Sequence, residues 1–289
     1  MSSDYHYDFV AAPFQPGAIG YHPNNALWLA AAANLAYEDE QTIRAEVRKW
    51  GFDRFRFLHA GSHLDSDGTS FPVDTQAYVC RGSEALLIAF RGTELLSIKD
   101  WFTDLMAVSV TAPSGVGKIH KGFAVGLGAV WSQLEQALSE LYDGQVPIWV
   151  TGHSLGGALA TLAASQLRLN ANLPVQGLYT FGQPRVGDRK FLKFLRLALP
   201  ARIVRFVNNN DIVTQVPPPG ILLKYWHGER ELRFAPDGKL ILQVSWRERT
   251  RALLRRSKKD QLKLDVDSLL DHSMDCYIER VRRQLAEPE

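Results

Sequence analysis

Two periods alternate along this chain. Apolar residues recur at helical spacing over 25–37, 42–50, 123–142, 155–169 and 188–199, and a last helix is expected to run to about 286. Between them, 77–80, 85–90, 148–150, 175–181 and 203–207 are short apolar runs of strand length, several rich in β-branched and aromatic residues. The runs at 77–80 and 85–90 alternate across Arg81-Gly82-Ser83-Glu84, which predicts an antiparallel hairpin. From 146 to 207 single strands and helices succeed one another, which calls for a largely parallel sheet with right-handed crossovers and ligands at the strand C-termini. The helices at 25–37 and 42–50, the second closed by Gly51, are expected to cover one edge of the core within an N-terminal helical cover over 1–60. Late in the chain, 222–226 and 240–245 flank Pro236-Asp237-Gly238-Lys239 and read as hairpin strands. No linker, repeat or low-complexity tract divides the sequence, so one α/β domain over 1–289 is expected.

The most informative stretch is VPIWVTGHSLGGALATLAASQLRL at 146–169. A β-branched and aromatic run meets a helix of small and apolar residues at Gly152-His153-Ser154-Leu155-Gly156. That is the G-x-S-x-G elbow, in which a strained turn exposes the serine and the glycines stand where side chains would collide. It also sets the Leu155 amide at a helix N-terminus, where negative charge is favoured. A serine becomes a useful nucleophile only when a histidine takes its proton and a carboxylate orients that histidine, in the chain order Ser, Asp or Glu, His. Downstream of Ser154 the histidines are His227 and His272. His272, at a loop-to-helix boundary near the C-terminus, is preferred over His227, which lies in an expected hairpin strand. Asp211 directly follows a strand, whereas Asp188 and Asp271 read better as helix N-caps. His153 is expected to pack beneath the elbow.

Composition narrows the picture. With 289 residues, 46% of them apolar, the chain can build one sizeable core. Lys and Arg total 33 against 31 Asp and Glu, a net +2, so bulk charge implies no polyanionic partner and nucleic acid is not expected. Cys80 and Cys276 are too few for a disulfide framework and read as core thiols, although one bridge between them is open. The start, MSSDYHYDFVAAPF, has neither a basic head nor an apolar segment, so no secretory signal is visible. A cytoplasmic location is the default expectation, and export would require a leader already removed or a non-classical route. The longest apolar run, 26–33, is too short to span a bilayer, so no transmembrane segment is expected. Asp65-Ser66-Asp67-Gly68 hints at a calcium loop but lacks the further acidic ligands and closing Glu, and a polar turn between strands is the better reading. The basic stretch at 246–259 reads as a solvated helix face, with docking to an anionic lipid surface as the alternative.

Seven motifs stand in order: FRGT at 90–93, DWFTDL at 100–105, HKGF at 120–123, GHSLGG at 152–157, YTFGQPRVGD at 179–188, NNNDIVTQVPP at 208–218 and DH at 271–272. On these, over roughly 75–285, the chain resembles the class 3 lipases, the fungal-type triacylglycerol lipase family of α/β-hydrolases. The resemblance implies an α/β-hydrolase fold with a largely parallel central sheet flanked by helices. It implies Ser154 as nucleophile, Asp211 as triad acid and His272 as base. It places Thr93 beside the Leu155 amide in the oxyanion hole, with Asp104 holding the Thr93 hydroxyl. A lid at about 95–106 would carry Leu95, Ile98, Trp101 and Phe102. The implied substrate is an acylglycerol or other carboxylic ester met transiently at a lipid–water interface, with no metal or organic cofactor. Feruloyl esterase and phospholipase A1 are neighbouring activities of the family. A rival of another class, a non-catalytic lipid-binding hydrolase fold, would be expected to have lost a triad member.

Overall fold

The computed structural model describes residues 7, 9–64, 70–92, 108–209, 211–217, 225–227, 230–241 and 270–286. Helices α1 (Pro23–Leu35) and α2 (Glu40–Lys49) precede strands β1 (Phe52–Leu64), β2 (Ser70–Gly82) and β3 (Leu86–Phe90). Short strands β4 (Ser109–Thr111) and β5 (Lys118–His120) lead into α3 (Lys121–Leu141). Then follow β6 (Ile148–His153), α4 (Leu155–Leu169), β7 (Val175–Phe181), β8 (Gly187–Asp188), α5 (Arg189–Ala198) and β9 (Ile203–Asn208). Strands β10 (Tyr225–Trp226), β11 (Arg230–Phe234) and β12 (Leu240–Ile241) and helix α6 (Met274–Ala286) complete the described elements.

The main sheet runs β1-β2-β3-β6-β7-β9-β11-β12. Its middle, from β3 through β6, β7 and β9 to β11, is parallel, and antiparallel pairs close both edges. Side chains divide strictly by the strand period. Leu86, Ile88 and Phe90 join Ile148 and Val150 in a core under α3, α4 and α5, while Leu87 and Ala89 join Trp149, Tyr179 and Phe206 in a core against α1, α2 and α6. Because helices cover both faces, β3 and β6 are buried along their whole lengths, as expected of parallel strands. The expected pairing of β2 with β3 is present, with Ala77 opposite Phe90.

Two expectations require correction. The N-terminal region is not a helical cover over one edge: residues 52–60 already belong to β1, and α1 lies across the middle of the sheet. Ala26 and Leu29 to Ala33 are fully buried, because α1 is enclosed between the sheet and α6 and is apolar on all sides. Its carbonyls even accept side-chain bonds from the sheet, from Tyr78 to Ala32 and from Thr151 to Leu29. The second correction concerns the turn at Pro236 to Lys239, whose preceding strand is β11 rather than 222–226. β11 pairs in parallel with β9 and places Glu231 against Arg205, a buried ion pair inside the sheet. Tyr225 and Trp226 belong instead to a small second sheet, β10-β8-β5-β4.

The segment ahead of α1 is fixed by side chains rather than by a ladder. Asn25, wholly buried, accepts from the Gln15 amide and donates to the Gln15 carbonyl, both at 2.8 Å. Trp28 and Trp149 donate their indole N–H groups to Ala12 and Pro16 carbonyls. Since a buried backbone group left without a partner costs about 1–3 kcal/mol, Asn25→Ala is expected to lower the urea unfolding free energy by about that amount. An unchanged unfolding midpoint would mean that water replaces both bonds freely.

Candidate active site

Strand β6 becomes helix α4 through one residue, Ser154, whose φ of 55° and ψ of −127° lie where L-residues are rarely found. Close packing imposes this turn. A Cβ on Gly152 would stand 2.3 Å from the Gly156 carbonyl oxygen, and one on Gly156 would stand 2.2 Å from the Phe90 carbonyl oxygen. The Ser154 amide donates to the Phe181 carbonyl at the end of β7, at 2.9 Å. Residue 182 is then a glycine at φ +61°, and a Cβ there would meet Asp211 Oδ2 and His272 Cε1 and Nδ1, all at 2.8 Å. The carboxylate and imidazole therefore close over the residue next to the one that anchors Ser154.

Asp211 follows β9, where its own amide bonds the Asn208 carbonyl and its Oδ1 accepts from the Val213 amide. Its Oδ2 accepts from His272 Nδ1 at 2.8 Å and from the Tyr277 hydroxyl at 2.6 Å. Burial, together with the Asp211 charge, pushes the Tyr277 phenol well above its ordinary range, so it remains a donor. Asp211 and His272 are buried, as is Ser154. With Nδ1–H committed to Asp211, Nε2 is the acceptor of the neutral His272 ring, and this atom and Ser154 Oγ are both buried without a hydrogen-bond partner. One is an acceptor and the other a hydroxyl.

His153 lies beneath, as its place beside Ser154 led us to expect. Its Nε2 is 2.7 Å from the His272 carbonyl and its Nδ1 is 2.7 Å from the Tyr37 hydroxyl. A carbonyl only accepts, so Nε2 carries the proton. Burial, reinforced by His272, holds the His153 pKa well below the ordinary value, so Nδ1 is a lone pair that accepts from Tyr37. The two imidazole rings lie 4.5 Å apart. Neither Tyr37 nor Tyr277 was singled out in the sequence. Tyr277 stands one turn into the helix after His272, a spacing that could have marked it, whereas nothing local marks Tyr37.

The other candidates take other places. Asp188 caps α5 by accepting from the Phe191 amide, Asp271 accepts from the Asn209 side chain, and His227 Nε2 bonds the Thr214 carbonyl. Cys80 and Cys276 are free thiols. Thr93, Leu95, Ile98, Trp101, Phe102 and Asp104 lie outside the described residues, as do 65–68 and the basic stretch at 246–259. Among the described residues no group of three or more His, Cys, Asp or Glu could hold a metal ion, and no helix is long and apolar enough to cross a membrane.

A serine strained between strand and helix, with an aspartate and a histidine delivered to it beyond later strands of a mainly parallel sheet, is the architecture of the α/β-hydrolase class. The family model for Lipase (class 3) matches residues 87–220. Over 155 residues the chain is 41% identical to a lipase of Rhizomucor miehei, covering 50% of this chain and 41% of that protein. Over 247 residues it is 31% identical to triacylglycerol lipase OBL1 of Arabidopsis thaliana, covering 68% of this chain and 46% of that one. The chain thus spans less than half the length of these curated relatives. A solved triacylglycerol lipase, whose catalytic centre is formed by a serine protease triad, matches with a TM-score of 0.59 at 27% identity over 86% of this chain and 92% of that one. The chain belongs to the class 3 lipase family.

Two buried histidines give the fold an acid-side weakness. His153 is depressed as above, and burial lowers His120 to about 4. Below the unfolded value near 6.5 the unfolded chain binds protons that the folded rings refuse, so stability falls as pH drops below about 6.5. The His120 share of that loss accumulates until about pH 4. Urea midpoints should therefore decline between neutral pH and pH 4.5, and His120→Phe should flatten the slope. A wild-type midpoint independent of pH over that range would refute the neutral-ring assignment.

Proposed function

We propose that this protein is a serine carboxylic-ester hydrolase acting on triacylglycerols through Ser154, His272 and Asp211. The observation that carries the reading is the bonded pair of Asp211 Oδ2 and His272 Nδ1 beside a strained Ser154, with Ser154 Oγ and His272 Nε2 both buried and uncommitted. In the first step Ser154 Oγ attacks the ester carbonyl carbon and its proton passes to His272 Nε2. Asp211 holds the imidazole in the required tautomer and stabilises the imidazolium. The tetrahedral oxyanion is met by the Leu155 amide at the start of α4 and by Thr93, whose hydroxyl Asp104 orients; a single such donor is worth about 3 kcal/mol. Collapse expels the alcohol, which takes the proton from Nε2. Water then attacks the acyl-enzyme, again giving its proton to His272, and the fatty acid leaves as Ser154 regains its hydrogen. On the family resemblance, Leu95, Ile98, Trp101 and Phe102 are assigned to an apolar lid that would favour aggregated over dissolved esters. Phospholipase A1 action at the same site is a matter of which ester is offered.

Ser154→Ala is expected to abolish hydrolysis of p-nitrophenyl esters and emulsified triglyceride while leaving the circular dichroism spectrum unchanged. Asp211→Asn and His272→Ala should give comparable losses that add little to Ser154→Ala, because the three act as one unit. Near wild-type turnover by folded Ser154→Ala would end this reading. Tyr277→Phe leaves His272 bonded to Asp211 Oδ2 but removes that oxygen's second donor, so kcat should fall about tenfold, the effect of one hydrogen bond to a charged group, with KM unchanged. A change confined to KM would assign Tyr277 to substrate binding instead.

A further inference from the structure

Lys and Arg barely outnumber Asp and Glu over the whole chain, at 33 to 31, yet the charges are strongly segregated. Residues 105–134 and 144–210 together hold ten Lys and Arg and a single acid, Asp188. That acid is spent as the cap of α5. Helix α5 buries Phe191, Leu192 and Leu195. Its exposed stripe consists of Arg189, Lys190, Lys193, Arg196 and Leu197, four cations and an apolar residue that is 71% exposed. Lys118 on β5 is exposed as well. Ion pairs among the described residues gather elsewhere, on α2, between β1 and α3 and on β11, and Lys118, Lys190, Lys193 and Arg196 take part in none of them. A helix face that serves only solubility would carry both signs.

The stripe begins at the active-site end of the sheet. Strand β8, which leads into α5, follows the end of β7, where the Phe181 carbonyl holds the Ser154 amide. β8 pairs with β10, and the Arg189 guanidinium lies 3.7 Å from the ring centre of Trp226, which is 37% exposed. At the far edge of the same small sheet, Val108 is 59% exposed and its carbonyl accepts from the Lys121 amide. An exposed tryptophan with a cation stacked on it, flanked by unpaired lysines and an exposed aliphatic residue, matches a lipid headgroup layer: the ring enters the apolar boundary while the cations meet phosphates.

We propose that the small sheet and α5 form a docking platform for an anionic phospholipid surface, holding the Ser154 end of the molecule against the lipid that supplies its ester. The proposal rests on the reading of the site as a lipid-ester hydrolase, but its test does not depend on turnover. Ser154→Ala protein is sedimented with vesicles of neutral phosphatidylcholine and with vesicles in which about a third of the lipid is phosphatidylglycerol; each cation near such a surface contributes about fivefold in partitioning. Binding should be at least about a hundredfold stronger on the anionic vesicles and should lose that advantage in about 0.5 M salt, where the Debye length is only a few ångströms. Replacing Lys118, Lys190, Lys193 and Arg196 together by Gln should reduce anionic binding by about a hundredfold or more. In the Ser154→Ala background, Trp226→Ala should weaken vesicle binding as well. Hydrolysis of a soluble p-nitrophenyl ester by the same Gln replacements made with Ser154 retained shows whether the fold and site are intact. Equal binding to neutral and anionic vesicles, or an intact Gln variant that binds like its parent, would overturn the proposal. So would equal retention by double-stranded DNA and by anionic vesicles, which would leave a general polyanion surface. Failure of Ser154→Ala to lose esterase activity would instead strike the functional reading alone.

Discussion

The close approach of α4 to the ends of β3 and β6 is the constraint on which the rest depends. The start of a helix can lie this near two strand termini only if residues 152 and 156 have no side chains, and the penalty for the fit is concentrated in the backbone of Ser154. Everything that packs around the turn holds that strain in place. The Phe181 carbonyl takes the Ser154 amide, β3 and β7 flank β6 in parallel register, and α1 fills the opposite face beneath them. A loose sheet would let the turn relax and carry the hydroxyl away from the imidazole.

Below the elbow the protein links buried polar groups in one network. Tyr37 donates to His153, His153 donates to the His272 carbonyl, and Tyr277 and His272 both donate to one oxygen of Asp211. Such a network stabilises only when its members are satisfied, because the low local dielectric that strengthens each bond also raises the cost of an orphan. The chain ties three distant parts of the sequence together: the end of the N-terminal helical segment, the elbow and the C-terminal helix. His272 is thereby held through its ring by Asp211 and through its main chain by His153. The atoms left over, Ser154 Oγ and His272 Nε2, are those a nucleophile and its base require.

The surface has its own organisation. The acids of α2 and of the far end of α3 are ion-paired, while α5 and the small sheet present cations and a stacked tryptophan at the end of the molecule that holds Ser154. Long-range charge of this kind orients an enzyme before contact, and short-range apolar groups decide how firmly it stays.

Much of this was legible in the sequence because its signals are local. The elbow is five consecutive residues, the order of strands and helices between 146 and 207 follows from period, and Asp211 and His272 stand out by their places after a strand and before a helix. Strand β11 was not legible, because Arg-Glu-Leu-Arg-Phe reads as polar until Arg205 on the neighbouring strand neutralises Glu231. Helix α1 read as a surface cover because its pattern shows only that it is apolar, and enclosure between the sheet and α6 is a property of the assembled layers. Tyr37 and Gly182 had no local mark as parts of the site, and Tyr277 had only its spacing from His272. A hydroxyl becomes a ligand of His153 or Asp211, and a glycine becomes obligatory, only when crossovers bring distant residues within bonding distance, 116 positions apart for Tyr37 and His153 and 66 for Asp211 and Tyr277, and that convergence belongs to the tertiary structure.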